Sequence, residues 1–305
     1  MSGSLFAFVL RRVVAALAFI FLVATAAFAL VQLAPGDAAS HLELSGTSPE
    51  AAAAVRARLG LDQPESLQFA RWVRGLARLD LGQSTAFERP VAELVAAGFL
   101  KTAMLASTAL ILATAIGVPA GVLIAAARRR WATLGGAVSL VLLSCPPIVA
   151  TLALMLLAVR TGWLSVQSGA LALPALALAL PMAAVLERVQ SRASAEALDS
   201  RGVAAAMARG IPRRRLIWVH ALRQSLVPVL GVYGIVMATL FSGSVAVEVM
   251  TAWPGLGQLA VRAVRTRDLF LVTGCAMAVA TMIALAQLAA DLLRAALDPR
   301  VREAR

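Results

Sequence analysis

Long apolar stretches separated by short arginine-bearing segments set the rhythm of this chain. The apolar runs lie at about Val13 to Leu33, Leu100 to Ala127, Leu134 to Val159, Ala170 to Leu186, Val227 to Val249 and Phe270 to Leu292. A helix needs about 20 apolar residues to cross a bilayer core, so the pattern predicts an all-α polytopic membrane protein with six transmembrane helices. The fourth run is short and contains Pro174 and Pro181. Kinked helices of that kind persist where neighbouring helices satisfy the freed backbone groups.

Between the first two runs the pattern changes. Pro49 to Arg58, PEAAAAVRAR, is alanine-rich and helix-competent, and Gly60 is placed to stop it; Gln68 to Leu79 sets Phe69, Trp72, Val73 and Leu76 at helical spacing. Short helices on the outer face are expected. The organisation that follows is 1–33 for the N-terminus and first span, 34–99 for an external segment, 100–295 for a five-helix core with a cytoplasmic loop at about 188–226, and 296–305 for a cytoplasmic tail.

Composition agrees with a bilayer. The 305 residues are 60% hydrophobic and 14% charged, with mean hydropathy +0.84, against roughly 45–50% apolar and about 25% charged in soluble domains. A formal charge of +12 would suit nucleic acid, but basic residues interrupted by membrane-length runs follow the positive-inside rule instead. Arg11 and Arg12, Arg128 to Arg130, the arginines from Arg188 to Arg223, and Arg294, Arg300, Arg302 and Arg305 share one side if both termini are cytoplasmic. Arg160, Arg262, Arg265 and Arg267 oppose this and are outnumbered. The first run is too long for a signal-peptide core of about 7–15 residues, so an uncleaved span is expected. Cys145 and Cys275 sit in separate apolar runs, which argues against a disulfide framework.

Several chemistries are excluded. The chain has no phosphate-binding G-x-x-x-x-G-K-[ST] loop, and Lys101 is its one lysine. His41 and His220 fall on opposite sides of the membrane, which removes a paired-histidine metal site and a general base for Gly243-Ser244. Glu187, Glu248 and Asp291 are placed near span ends, leaving the span centres without the ionisable groups that ion-coupled carriers retain. No catalytic residue, metal or cofactor is expected in this chain.

The densest chemistry lies between the fourth and fifth spans. Leu198 to Arg209 can form one helix, Gly210 can end it in a left-handed cap, and Pro212 suits the first turn of a second helix reaching about Arg223. There Leu216, Val219 and His220 share a face by spacing. Arg213, Arg214 and Arg215 crowd the helix entrance against its macrodipole, and retention beside anionic headgroups is one reason for them.

This loop resembles that of inner-membrane permease subunits of the ABC importers for dipeptides, oligopeptides and nickel. Those carry a glycine followed at fixed distance by His-Ala-Leu-Arg-Asn and a proline; here Gly210 precedes His220-Ala221-Leu222-Arg223-Gln224 and Pro228. Leu33-Ala34-Pro35-Gly36-Asp37, Leu59-Gly60-Leu61-Asp62-Gln63-Pro64, Arg89-Pro90-Val91, Trp253-Pro254-Gly255-Leu256-Gly257 and Leu297-Asp298-Pro299-Arg300 extend the resemblance over nearly the whole chain. Each segment is weak alone, and their order is specific.

The resemblance implies half of a translocation path in the inner (plasma) membrane, for peptides, nickel or a similar small solute. It implies a second homologous permease, cytosolic ATPase subunits, an extracytoplasmic solute-binding protein and contact with membrane lipid. It also implies that Ala205, Ala206, Gly210, His220, Leu222 and Arg223 couple to the ATPase, with ATP hydrolysis on that separate chain. Two departures stand out: Ala204 to Arg209 reads AAAMAR where the family has a more polar helix, and Cys145-Pro146-Pro147-Ile148 stands where an aromatic is frequent. A channel subunit and a secondary transporter are the alternatives. Glu248 and Trp253 are expected at the headgroup boundary, with Trp253 as an interfacial anchor, and Pro119, Pro146, Pro147, Pro174 and Pro181 as static kinks.

Overall fold

Where the sequence has a membrane-length apolar run, the computed structural model has a helix, except in the middle of the chain. It describes residues 2–33, 40, 46, 48–60, 62–78, 80–167 and 169–297, with the backbone alone at 2–8, 52, 59 and 293–297. His41, the 34–37 part of the first family-like segment, Leu61 and the 298–305 tail lie outside the described residues. Contacts divide the chain into two units, residues 1–103 with 254–284 and residues 104–253 with 285–305.

In the first unit, α1 (Ser2–Leu33) is followed by the two predicted short helices. Helix α2 (Pro49–Leu59) starts where Ser48 Oγ accepts the Ala51 N–H at 3.3 Å and stops at Gly60, φ +67°. Helix α3 (Glu65–Leu76) presents Phe69, Trp72, Val73 and Leu76 to one apolar cluster with Ala24, Phe28 and Leu269. Phe28, Phe69 and Trp72 stack with centroids 5.4–5.7 Å apart, geometry that adds about 0.5–1.5 kcal/mol per pair beyond burial. The pattern missed α10 (Leu256–Arg265), a strongly amphipathic helix that buries Leu256, Gly257 and Ala263.

A buried carboxylate closes this unit. One Asp268 oxygen accepts from Ser84 Oγ at 2.6 Å, Thr85 N–H at 2.7 Å and Ala86 N–H at 3.2 Å, and the other accepts the Leu271 N–H at 3.0 Å. Asp268 is fully buried at the start of α11 (Leu269–Leu297). Its charge is tolerated because donors surround it.

The second unit is organised around α7 (Ala172–Leu198). Alanines 175, 177, 179, 183 and 184 are all buried, so neighbouring helices approach closely on several sides. Helix α4 (Val91–Ala126) approaches it closely through two glycines four residues apart. A Cβ on Gly117 would lie 2.4 Å from the Ala183 carbonyl oxygen, and one on Gly121 2.6 Å from the Glu187 carbonyl oxygen.

Four expectations change here. The third apolar run is not one straight span: α5 (Arg129–Ser144) and α6 (Pro147–Thr161) meet at 105°. Cys145 is extended because the residue before a proline avoids the α region, and neither Pro146 nor Pro147 can donate to a helical ladder. Five described helices are long and apolar enough to cross a membrane, or six spans if this bent pair is one. The short fourth run becomes the 27-residue α7, which takes up residues assigned to the loop at 188–226. Pro174 falls in its first turn and Pro181 inside it.

Glu187 is not at a helix end. It lies buried near the middle of α7 and accepts a hydrogen bond from Ser139 Oγ of α5, a partner no linear pattern reveals. Nor does Trp253 reach an interface. Ala252 turns through φ +51°, the Trp253 N–H returns to the Glu248 carbonyl at 2.9 Å, and both side chains are buried, Trp253 in the apolar core around α7.

Candidate functional site

The loop between α7 and the next long helix is compact. Asp199 ends α7 and Ser200 starts α8 (Arg201–Ala208), its Oγ accepting the Val203 N–H at 3.4 Å and lying 3.2 Å from Gln224 Oε1. Two turns later the chain leaves through Gly210, φ +78°, with its N–H on the Met207 carbonyl and the Ile211 N–H on Ala206. This paired closure uses the left-handed region that glycine alone enters without strain.

The second half differs from the expected short helix. From Arg213 the chain runs helical to Met250 as α9 (Arg213–Met250). Its second turn is a π-helix, Leu216–Ala221, and Pro228 lies further inside. No glycine or proline interrupts residues 213–227. The wider π turn sets the buried positions at Leu216, Ala221 and Ser225, five and four residues apart. Leu216, Val219 and His220 therefore do not share a covered face: Leu216 is buried, His220 half-buried and Val219 51% exposed.

The expected coupling residues fall into two groups. Ala205 and Gly210 are exposed on α8 and its exit turn, while Ala206 is buried against Val203 and Leu216, with Leu198 and Ile211 at the edge. His220 and Leu222 are half-buried on α9, and Arg223 is exposed. What joins the groups is the Ala206–Leu216 packing and the Ser200–Gln224 pair, both missed in the sequence. Met207, 65% exposed on α8, was missed too. A large apolar residue beside alanines in a loop was its only signal.

Arg213 has a structural reason for its place. Its guanidinium donates to the Ala126 carbonyl at 3.1 Å, the last turn of α4. A cation there favours the negative end of the α4 macrodipole, offsetting its position at the start of α9. Arg201, Arg209, Arg214 and Arg215 are also exposed, so α8 presents small and apolar side chains within a basic rim.

Behind the loop, a buried polar knot ties α7 to α9. Gln190 Nε2 donates to Ser194 Oγ at 2.7 Å and Ser225 Oγ at 2.6 Å, and the two hydroxyls lie 3.2 Å apart. Gln190 Oε1 is buried without a partner among the described residues. Ser225→Ala should destabilise the protein by about 1–3 kcal/mol, because it strands a buried donor; Gln190→Leu with Ser225→Ala should recover much of that loss. Melting of the four proteins of this cycle in detergent checks it, and additive losses would show that the two side chains do not interact.

The described residues hold no group of three His, Cys, Asp or Glu arranged for a metal ion. What the site offers is a docking shape.

Residues 117–303 match the family described as binding-protein-dependent transport system inner membrane component, and residues 5–106 match its N-terminal companion. A protein of Brucella abortus (strain 2308) named as a peptide transport system permease is 35% identical over 97% of this chain and 99% of its own length. The glutathione transport system permease of Salmonella paratyphi A is 32% identical over 97% and 98%. A chain of the MetNI methionine ABC transporter, solved in inward-facing conformations, shares the fold with a TM-score of 0.56 and 20% identity over 68% of this chain and 97% of that one.

Proposed function

The chain belongs to the family of binding-protein-dependent transport system inner membrane components, and from that premise we propose that it passes short peptides inward, driven by a cytosolic ATPase that grips α8. It is a multi-pass permease subunit of an ABC importer, and the family implies an ATPase and a solute-binding protein as partners. The relatives named for peptide and glutathione transport support the substrate class. Nickel is the alternative the family leaves open.

The observation that carries the coupling is the mounting of α8. Its outer face, with Ala205 and Met207, is exposed, while its inner face is fastened by Val203, Ala206 and Leu216 to the start of α9. A short rigid knob set between two long helices can seat in a partner's groove and pass on a rigid-body movement. Gly210 sets the exit angle, His220 and Leu222 support the knob from α9, and Arg223 lies on the basic rim. Both termini are then cytoplasmic, a second permease completes the path, and hydrolysis occurs on the ATPase.

Cysteines at Ala205 and Met207 should cross-link to an ATP-binding partner in native membranes, and one at exposed Trp163 should not. Met207→Asp with Arg223→Glu should weaken ATPase retention roughly 30-fold, the equivalent of a ~2 kcal/mol interface hot spot. Full ATP-dependent uptake by that folded variant would reject the assignment. Competition of uptake by dipeptides and by nickel tests the substrate class separately.

A further inference from the structure

In the first unit, a half-open cavity of about 370 Å³ lies beside α3. Its apolar wall includes Phe28 near the end of α1, Trp72 of α3, and Leu269 and Phe270 at the start of α11. Arg71, Arg74 and Arg78 line it as well, spaced so that one helical stripe continues through the turn after α3. Asp80 is the carboxylate in the lining among the described residues, and it accepts the Gly82 N–H at 2.9 Å.

The opening depends on glycine. Gly60, φ +67°, leaves room for the Arg71 guanidinium, which would lie 2.1 Å from a Cβ there; that guanidinium also donates to Gln63 Oε1 at 2.8 Å. Gly82, φ +81°, lets the Phe270 ring approach to 3.1 Å of the same virtual position. Arg74 and Arg78 have no carboxylate in ion-pair range among the described residues.

We propose that this cavity binds the headgroup of an anionic phospholipid. Among the described lining residues, three guanidiniums against one carboxylate select a phosphate, which arginine can bind bidentately. The depth selects lipid: the wall is built from the same-side ends of two apolar helices long enough to span, where headgroups lie.

Native mass spectrometry of the full chain in detergent, titrated with dioleoylphosphatidylglycerol or dioleoylphosphatidylcholine, tests this. Wild type should retain one phosphatidylglycerol more than the Arg71→Gln, Arg74→Gln, Arg78→Gln variant, with no such difference for phosphatidylcholine. Should the triple variant fail to fold, Arg74→Gln and Arg78→Gln alone should each weaken that retention. Equal retention by wild type and variants overturns the proposal, as does equal retention of both lipids. Loss of the extra lipid to millimolar inorganic phosphate assigns the site to a free anion, and no retention of either lipid overturns the proposal as well.

Discussion

Gly121→Val should abolish most of the folded, monodisperse protein obtained in detergent, and Gly117→Val should do nearly the same. A Cβ at Gly121 would meet the Glu187 carbonyl oxygen at 2.6 Å, Gln190 Cβ at 2.7 Å and the Ser191 amide nitrogen at 2.9 Å. Two of these atoms are α7 backbone and cannot rotate aside, so α4 and α7 must separate. Overpacking costs typically about 1–3 kcal/mol and occasionally more. The upper end applies here, because displacing α7 also disturbs the buried bonds of its Glu187 to Ser139 of α5 and of its Gln190 to Ser225 of α9. Gly136→Ala is the control: its Cβ would meet nothing within 4 Å, and alanine gains about 1 kcal/mol of helix propensity over glycine. Size-exclusion profiles and melting of the three proteins check the expectation. A Gly121→Val protein as monodisperse and heat-resistant as Gly136→Ala would show that the close approach does not hold these helices.

The second large effect is expected at Asp268. Asp268→Ala removes the acceptor of four donors, two from the Ser84–Thr85 pair, one from Ala86 and one from the first turn of α11. A hydrogen bond to a charged group contributes about 1.5–3 kcal/mol net, and some stranded donors will find water, so a loss of about 3–5 kcal/mol is expected. The damage should be local. Amide exchange at Thr85, Ala86 and Leu271 should accelerate far more than exchange in α7, while Asp268→Asn, which keeps one acceptor oxygen, should fall between the two. Unchanged protection at Thr85 and Ala86 would show that another contact holds the segment.

Much of this was legible in the linear pattern. Pro49 to Arg58 with Gly60, and the Phe69–Leu76 spacing, predicted α2 and α3 because caps and periodicity are local signals carried by the residues themselves. Gly210 adopts the left-handed turn assigned to it from its place before Pro212. Errors arose where a residue's setting is fixed by a distant partner. Glu187 looked like an end-of-span charge until Ser139 is seen against it. Trp253 looked like an interfacial ring until the turn at Ala252 buries it. The face of Leu216, Val219 and His220 assumed 3.6 residues per turn, and the π turn changed the phase.

What the sequence determined by itself is the environment and the element type, because apolar length, arginine placement, caps and family motifs act on each segment alone. Only the tertiary structure decided that residues 129–161 bend instead of crossing straight, that the loop helix merges into a 38-residue helix, and which buried carboxylate meets which donor. These are outcomes of competition between packing partners far apart in the chain. Hydrogen-bond satisfaction and close glycine contacts are settled only when both surfaces are in place.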